Sequence, residues 1–360
     1  MALKFEIECR ELEFLFNAGT SRGILTHRKT WFIKVWNQES LTIHGIGEAG
    51  PLRGLSIDDI PDFEFRLKNE LIKLEKYEMP SSEVGIYDLA KKVDSSLPSV
   101  RFGVETALLD LYYGGKKKCF INQFYDEEKP VWINGLVWMG ESELMLKRLK
   151  EKLKSGFTCI KLKIGALNFE DEIRLLEMVR KKYTPSELEL RVDANGAFSY
   201  TEVDKILNSL NKLGVHSIEQ PIKAGQPELM AELCRNTPIP IALDEELIGV
   251  NDYQAKADLL QRIMPQFIIL KPSLLGGFAS CLEWIKIAEK LNIGWWLTSA
   301  LESNIGLNAI CQFASSLHVK LPQGLGTGGL YANNIESPLE LNCDLIYYKQ
   351  NKKWHALGMK

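Results

Sequence analysis

Paired cysteines and clustered histidines are absent from this sequence of 360 residues. The seven cysteines are scattered without Cys-x-x-Cys pairs, which argues against a zinc site and favours reduced thiols over a disulfide framework. The five histidines lie far apart, so we do not expect a histidine-centred triad or metal site. Any catalytic chemistry must therefore come from other side chains.

Long apolar runs and a strong net charge are also missing. No run reaches the roughly eighteen apolar residues of a membrane span, and the N-terminus, MALKFEIECRELEF, lacks the apolar core of a signal peptide. The net charge of -3, from 44 basic and 47 acidic residues, gives no reason to expect nucleic acid or a membrane surface as partner. We expect a cytoplasmic globular protein that acts on a small molecule. Whether it forms a homo-oligomer stays open.

The first 125 residues differ in pattern from the rest of the chain. Runs rich in β-formers come first and helical patterns follow, which indicates an α+β unit over residues 1–125. The predicted strands are residues 3–15, 30–37 and 41–47, and the predicted helices are 63–74, 87–93 and 98–113.

From residue 126 to residue 330, short apolar runs alternate with helical patterns at about 25 to 30 residues per unit, as expected of a (β/α) barrel. The predicted strands are 132–137, 159–164, 188–192, 217–218, 239–243, 267–270 and 295–298. The predicted helices are 143–154, 169–182, 201–213, 227–236 and 278–291. No Gly-rich dinucleotide motif follows the first strand, so a barrel is favoured over a doubly wound sheet.

The final segment, residues 331–360, loses this alternation and contains one strand-like run at 341–348. We expect it to leave the barrel and pack back on the N-terminal unit.

Charged residues end the predicted barrel strands, at the face where barrel enzymes carry their active sites. Asp193, Glu219 and Asp244 are 26 and 25 residues apart, one barrel unit each, so their carboxylates should converge. Three converging carboxylates suit a hard cation, and we predict Mg²⁺ with Mn²⁺ as an alternative. Taken singly, each acid could instead cap a helix or pair with a lysine.

Lysines flank the predicted metal site. Lys161 and Lys163 lie two residues apart on one strand and therefore face the same side, while Lys271 ends a strand beyond Asp244. Such an arrangement suits the removal of a proton next to a carboxylate by a lysine whose pKa the crowding of positive charge depresses. Arg191 should also face inward, where it balances charge.

Five motifs together resemble the muconate-lactonizing-enzyme subgroup of the enolase superfamily. They are KLK at 161–163, VDAN at 192–195, IEQP at 218–221, DE at 244–245 and LKP at 270–272. The resemblance covers nearly the whole chain and implies a TIM-like (β/α)₇β barrel with an N-terminal α+β capping domain that the C-terminal segment completes. It also implies that Lys163 is the catalytic acid/base, that Lys161 assists it, and that Lys271 faces it across the substrate.

Further segments bear on the substrate. INGLV (133–137), SALESNIG (299–306), GLGTGG (324–329) and GEAGPLRG (47–54) resemble members that dehydrate a cyclohexadiene carboxylate during menaquinone formation. Dipeptide epimerases carry an acidic DxD motif where this chain has Gly326-Thr327-Gly328. Glycines allow backbone N–H groups to approach an anion, although a plain turn would look the same. The candidate substrate contacts are Ser299, Glu302, Gly326, Thr327 and Gly328.

Two polar loops, residues 17–23 and 48–55, are candidates for a lid over the barrel mouth, or for ordinary surface turns. Three other functions stay open. Two opposed lysines suit an N-succinylamino acid racemase or a dipeptide epimerase equally well, and a muconate-type cycloisomerase is a further alternative. A barrel retained only for binding should have lost some of the six charged residues, and none is lost.

Overall fold

The computed structural model describes residues 2–20, 23–166 and 168–355. Its N-terminal part begins with a three-stranded antiparallel sheet in the order β1-β2-β3, formed by Leu3–Thr20, Gly23–Asn37 and Ser40–Ala49. β1 is longer than predicted, because pairing with β2 resumes at Ala18 after a bulge. Residues 17–20 of the predicted loop 17–23 are therefore strand, and residues 21–22 lie outside the described residues.

Four helices follow the sheet: α1 (Phe63–Leu74), α2 (Glu83–Ala90), α3 (Pro98–Tyr112) and α4 (Gln123–Asp126). The prediction for α2 was four residues late at its start, because Ser82 caps the helix by accepting a hydrogen bond from Gly85 N at 3.2 Å. α3 lies directly on β3. A Cβ atom at Gly47 would stand 1.9 Å from the carbonyl oxygen of Gly103, so this close contact requires glycine.

The second part is a cylinder of parallel strands. The predicted run 132–137 is divided into β4 (Val131–Trp132) and β5 (Gly135–Val137), of which only β5 joins the barrel sheet. The other barrel strands are β6 (Cys159–Lys163), β7 (Glu189–Asp193), β8 (Ser217–Glu219), β9 (Ile241–Leu243), β10 (Phe267–Leu270) and β11 (Gly294–Leu297). They form one sheet in sequence order.

Two residues close the cylinder. Gln323 N donates to Trp132 O at 2.8 Å, and Gly324 N donates to Leu297 O at 2.8 Å, so this short eighth strand lies between β11 and the start of the barrel. Glycine is needed here, because a Cβ at position 324 would stand 2.5 Å from Thr298 Oγ1.

Helices surround the strands. They are α5 (Ser142–Lys154), α6 (Phe169–Arg180), α7 (Val203–Lys212), α8 (Pro227–Asn236), α9 (Tyr253–Ile263), α10 (Pro272–Leu275), α11 (Phe278–Lys290) and α12 (Asn304–Ser316). α9 and α12 were not predicted. α12 is buried along most of its length, so its sequence lacks the alternation of apolar and polar residues that marks an amphipathic helix. In α9, a lysine, Lys256, on the buried face interrupts that alternation.

The prediction of one strand over residues 341–348 was wrong. β12 (Leu339–Asn342) and β13 (Leu345–Tyr348) form a hairpin that turns at Cys343, whose φ of 53° is left-handed. β13 pairs with β4, while Trp354 packs against a cluster that contains Phe32 and Ile46 of the N-terminal sheet.

One hydrophobic core extends through both parts. Phe102 of α3 contacts Phe278 of α11 with ring centroids 5.3 Å apart, which joins the N-terminal helices to the outer layer of the barrel. The architecture is a TIM-like barrel with a separate antiparallel capping unit, which confirms the predicted fold class. Among the described residues, no helix has the length and apolar character needed to cross a bilayer.

Candidate active site

Six charged side chains meet at the carboxyl ends of the barrel strands. Lys163 of β6 is in register with Asp193 of β7, and Asp193 is in register with Glu219 of β8. Asp244 and Lys271 directly follow β9 and β10. The sixth residue is Lys161, and none of the six is more than 9% exposed. The structure therefore brings the six predicted residues into one buried cluster, called the mouth cluster below.

Two lysines occupy one side of the mouth cluster. Lys161 Nζ lies 3.1 Å from Asp193 Oδ2 and 2.7 Å from Glu219 Oε2. Lys163 Nζ lies 3.0 Å from the same Asp193 oxygen and 2.7 Å from Asn195 Oδ1. As expected for positions i and i+2 of a strand, both ammonium groups point into the barrel.

The third lysine approaches from the opposite side. Lys271 Nζ donates to Asp244 Oδ2 and lies 3.8 Å from Glu219 Oε1. Glu219 therefore lies between Lys161 and Lys271.

Burial and mutual repulsion govern the carboxylates. Burial, together with the neighbouring carboxylate of Asp193, raises the pKa of Glu219 to about 7. Burial also raises the pKa of Asp244. For Asp193, burial acts in the same direction, but Lys161, Lys163 and Lys271 outweigh it and lower the pKa below its usual range.

Two lysines of the mouth cluster, Lys161 and Lys271, have raised pKa values. Burial favours a lower pKa for both, yet the carboxylates outweigh it and raise the pKa of each above its ordinary value: Asp193 and Glu219 act on Lys161, and Asp244 and Glu219 act on Lys271. The cause is direct ion pairing, which stabilises the protonated amine.

The donor set of the mouth cluster fits a hard divalent cation, although the ammonium groups lie between the carboxylates. Among the described residues, no three His, Cys, Asp or Glu side chains are arranged closely enough for a metal ion. Glu219 Oε1 is nonetheless buried without a hydrogen-bond partner. A buried carboxylate oxygen in this state costs free energy, and Mg²⁺, which prefers oxygen ligands, would satisfy it.

Two residues in left-handed backbone conformation hold the loops around the mouth cluster. Asn195, with φ of 45°, places its Oδ1 on Lys163 and donates from Nδ2 to Glu245 Oε1 at 2.9 Å. Gln220, with φ of 41°, accepts a hydrogen bond from Asp244 N at 3.2 Å. These contacts fix the loops after β7, β8 and β9 relative to each other.

A cavity of about 760 Å³, part of it open to solvent, lies over the mouth cluster. Asp193 is the one carboxylate among the described residues that line it. The wall therefore offers no separate acid for the ammonium group of a dipeptide.

The predicted substrate contacts divide into two groups. Ser299, Gly326 and Thr327 line the cavity, whereas Glu302 and Gly328 are not among its lining residues. Glu302 is buried behind Ser299 and accepts hydrogen bonds from Ser299 Oγ at 2.7 Å and from Ser273. Its carboxylate therefore orients the hydroxyl groups of Ser299 and Ser273.

The capping unit supplies part of the cavity wall, from the candidate lid 48–55 and from Leu25, which was not predicted. Leu25, Leu52, Arg53 and Leu55 reach the cavity from β2 and from the loop after β3. Within the loop 48–55, Leu52, Arg53 and Leu55 contribute to the cavity wall. Glu48 does not; it is buried and accepts a hydrogen bond from Ser303 N at 2.9 Å.

The polar wall residues Asn134 and Thr298 were also missed. The side-chain oxygen of each is buried without a hydrogen-bond partner, although each residue lines the cavity. Both lie beside the two-residue eighth strand, which sequence periodicity cannot reveal. Buried polar atoms of this kind are candidates for contact with a polar ligand group.

Arg191 faces the barrel interior, as predicted, but lies outside the cavity lining. Its guanidinium stacks on Trp296 at 4.2 Å and pairs with Glu189 at 2.7 Å. It fills the barrel two residues before Asp193, so its role is structural.

The chain matches a family model described as Enolase C-terminal domain-like over residues 144–340, which is more than half of its length. It therefore belongs to the enolase superfamily, whose enzymes use Mg²⁺.

Among individual relatives, the chain is 43% identical to an o-succinylbenzoate synthase of Desulfotalea psychrophila, over 95% of this chain and 98% of that protein. The crystal structure of MenC from the same organism matches with a TM-score of 0.84 and 38% identity, covering 96% of this chain and 100% of that one. A dipeptide epimerase of Enterococcus faecalis, crystallised with Mg and L-Leu-L-Tyr, shares the fold with a TM-score of 0.82 at 18% identity, covering 96% and 97% of the two chains.

Proposed function

We propose that this chain is an o-succinylbenzoate synthase of menaquinone biosynthesis, a hydro-lyase that converts 2-succinyl-6-hydroxy-2,4-cyclohexadiene-1-carboxylate to o-succinylbenzoate. The observation that carries the proposal is the 43% identity to the Desulfotalea psychrophila synthase over 95% of the chain. The mouth cluster supports it, because it combines a cation site with lysines on two sides.

Asp193, Glu219 and Asp244 would hold Mg²⁺, and Mn²⁺ is the alternative ion. When bound, the ion supplies Lewis-acid stabilisation of negative charge on the substrate carboxylate. The three carboxylates are buried side chains on successive strands, and their oxygens are now shared with three ammonium groups. A cation at these oxygens would compete with the ammonium groups for them.

Lys163 is the proposed acid and base of the reaction. It lines the cavity, and Asn195 and Asp193 fix its ammonium group. Lys163 removes the proton next to the ring carboxylate, and the same amine then delivers it to the departing hydroxyl on the same face. The C–H and C–O bonds break, water leaves, and the ring becomes aromatic, so no oxidant is required.

Lys271 and Lys161 have electrostatic roles in this proposal. Lys271 lines the cavity from the opposite side and stays protonated, so it stabilises the enediolate that proton removal creates. Lys161 holds Asp193 and Glu219 in place and raises the local positive charge. Together the two ammonium groups favour the charge of the transition state over that of the substrate.

The direct test follows the ultraviolet absorbance of the diene in the presence of purified protein. We expect fast loss of absorbance with Mg²⁺, no loss after EDTA, and recovery when Mg²⁺ is added back. No turnover at any Mg²⁺ concentration would refute the proposal and leave only the family assignment.

A second candidate is racemisation of N-succinylamino acids, because Lys163 and Lys271 approach from opposite sides, as two-base proton exchange requires. Incorporation of solvent deuterium at the α-carbon without diene turnover would favour it. A dipeptide epimerase fits less well, since Asp193 is the one acid among the described residues of the wall and it belongs to the proposed metal site.

The cytoplasm is the proposed location. All seven cysteines are free thiols, and five of them are buried, as is common in reducing compartments.

A further inference from the structure

Arg53 differs from every other cation on the cavity wall. Lys161, Lys163 and Lys271 are all in ion pairs with the carboxylates of the mouth cluster. Arg53 lines the same cavity, and no described residue forms an ion pair or hydrogen bond with its guanidinium. Its charge is therefore available to a ligand.

Two hydroxyl groups of the wall, those of Ser299 and Thr327, already donate their protons within the protein, which leaves Thr298 as a neutral donor. Ser299 Oγ gives its only proton to Glu302 and accepts hydrogen bonds from Leu301 N at 2.9 Å and Thr327 Oγ1 at 2.8 Å. Thr327 therefore donates to Ser299. An anion near Ser299 and Thr327 would meet oxygen lone pairs unless this network broke.

Arg53 is carried by a tightly bonded turn rather than by a loose loop. Leu52 N donates to Ser56 Oγ at 2.7 Å, and Gly54 N, at a φ of 72°, donates to Asp59 Oδ2 at 2.8 Å. Asp58 fixes the turn to the start of α3 by accepting a hydrogen bond from Ser99 N at 2.9 Å. Little conformational entropy would be lost when such a turn binds a ligand.

The substrate class of the proposed function has two carboxylates, one on the ring and one at the end of the succinyl chain. The mouth cluster accounts for the ring carboxylate. A second carboxylate buried in this cavity would need its own cation, and Leu52 and Leu55 beside Arg53 suit the methylene groups that precede it. A guanidinium matches a carboxylate with two parallel hydrogen bonds.

We infer that Arg53 binds the terminal carboxylate of the succinyl chain and thereby selects dicarboxylates. This inference rests on the proposed function and adds a substrate-binding residue from the capping unit to it. Arg53 is a specificity residue here, distant in sequence from the barrel lysines that do the chemistry.

The test compares two ligands that differ only at the far end. Calorimetry would measure the binding of o-succinylbenzoate and of 2-butanoylbenzoate, in which a methyl group replaces the terminal carboxylate, to the Mg²⁺-loaded protein. We expect Arg53→Gln to lower the affinity for o-succinylbenzoate by about tenfold or more and to leave the affinity for 2-butanoylbenzoate within about twofold of the wild type. The reason is that only the dicarboxylate loses a charged hydrogen bond. Arg53→Lys should recover part of the loss.

Arg174→Gln is the matched control, since it removes one arginine from the outer surface of α6, where the side chain pairs with Asp171. It should leave both affinities unchanged. An equal loss for both ligands in Arg53→Gln, or no loss for either, would overturn the inference.

Kinetics separate this inference from the proposed function. If the wild-type protein fails to dehydrate the diene, the proposed function fails. If the wild type turns over the diene and Arg53→Gln has the wild-type KM, only the inference fails. We expect KM to rise by a larger factor than kcat falls.

Discussion

Two of the regions that bury charged groups differ in how their polar atoms are satisfied. The mouth cluster is one. The other, called the seam below, consists of Glu105 of α3, Lys256 of α9, and Ser280 and Glu283 of α11, where the capping unit meets the outer helices of the barrel. Lys256 is 0% exposed and Lys163 is 8% exposed, so burial alone does not distinguish a lysine of the seam from the proposed acid/base.

The difference lies in how the polar atoms are satisfied. Lys256 Nζ has three acceptors, Ser280 Oγ at 2.7 Å, Glu283 Oε2 at 2.8 Å and Ser280 O at 3.4 Å, which match its three protons. Lys163 Nζ has two acceptors and lines a cavity. A buried lysine with an unused proton facing open space is prepared for a ligand, whereas a saturated one holds the fold together.

The carboxylates show the same contrast. Glu105 accepts hydrogen bonds from Phe278 N and Ala279 N at the start of α11. One oxygen of Glu219 accepts no hydrogen bond and lies 3.8 Å from Lys271. Both oxygens of Glu105 accept hydrogen bonds, whereas one oxygen of Glu219 is left for the proposed cation.

The largest expected effect is the loss of turnover in Lys163→Met. Removing the acid/base group should lower kcat by at least about 10²- to 10⁴-fold, while the free energy of unfolding changes little because Lys161 still pairs with Asp193. The diene assay and a urea denaturation curve measure the two quantities. Near-normal turnover in this variant would contradict the assignment of Lys163.

Lys256→Met should have the opposite outcome. It leaves Ser280 and Glu283 without their buried donor, so we expect the free energy of unfolding to fall by about 1 to 3 kcal/mol. Turnover per folded molecule should match that of the wild type. A large loss of kcat with normal stability would show that the seam affects the chemistry and would break the comparison.

Glu105→Gln tests the seam through pH. Burial raises the pKa of Glu105 to about 8 from a usual value of 4.5. Because the folded pKa is the higher one, the contribution of this group to stability is full below about pH 4.5 and is lost as pH rises towards 8. The stability of Glu105→Gln relative to the wild type should therefore increase between these pH values and level off above them, in thermal unfolding measured across the range. A relative stability that does not change with pH would contradict the raised pKa.

The smallest expected effect belongs to Thr327→Val. The change removes the hydroxyl that donates to Ser299 but keeps the size of the side chain. We expect a loss of about 0.5 to 1.5 kcal/mol in stability or ligand affinity, typical of one neutral hydrogen bond. Ser299→Ala is the companion variant and should show a larger loss, because it also removes the hydrogen bonds with Glu302 and Leu301 N. Equal losses in the two single variants would contradict this account of the wall.

The mouth cluster could be predicted because residues spaced by one strand–helix unit lie next to each other at the same end of a barrel. Asp193, Glu219 and Asp244 recur once per strand–helix unit, so their convergence follows from the fold class alone. The predicted bounds of strands and helices in the barrel were likewise close to those in the structure where the sequence pattern is amphipathic, as in α8.

What the sequence could not predict depends on contacts between distant segments. The sequence offered the loop 48–55 as a candidate lid, but it could not single out Arg53 within it, and Thr298 becomes a wall residue only beside the two-residue eighth strand. The direction of the pKa shifts of Lys161 and Lys271 also required distances, since ion pairs with the carboxylates outweigh burial.

The most direct test of the account is a calorimetric titration of Mg²⁺ into the wild type, Glu219→Gln and Lys256→Met. We predict one site per chain in the wild type, an affinity reduced by at least about tenfold in Glu219→Gln, and wild-type affinity in Lys256→Met. Equal Mg²⁺ affinity in the wild type and Glu219→Gln, or no binding in either, would contradict the claim that the mouth cluster is a metal site.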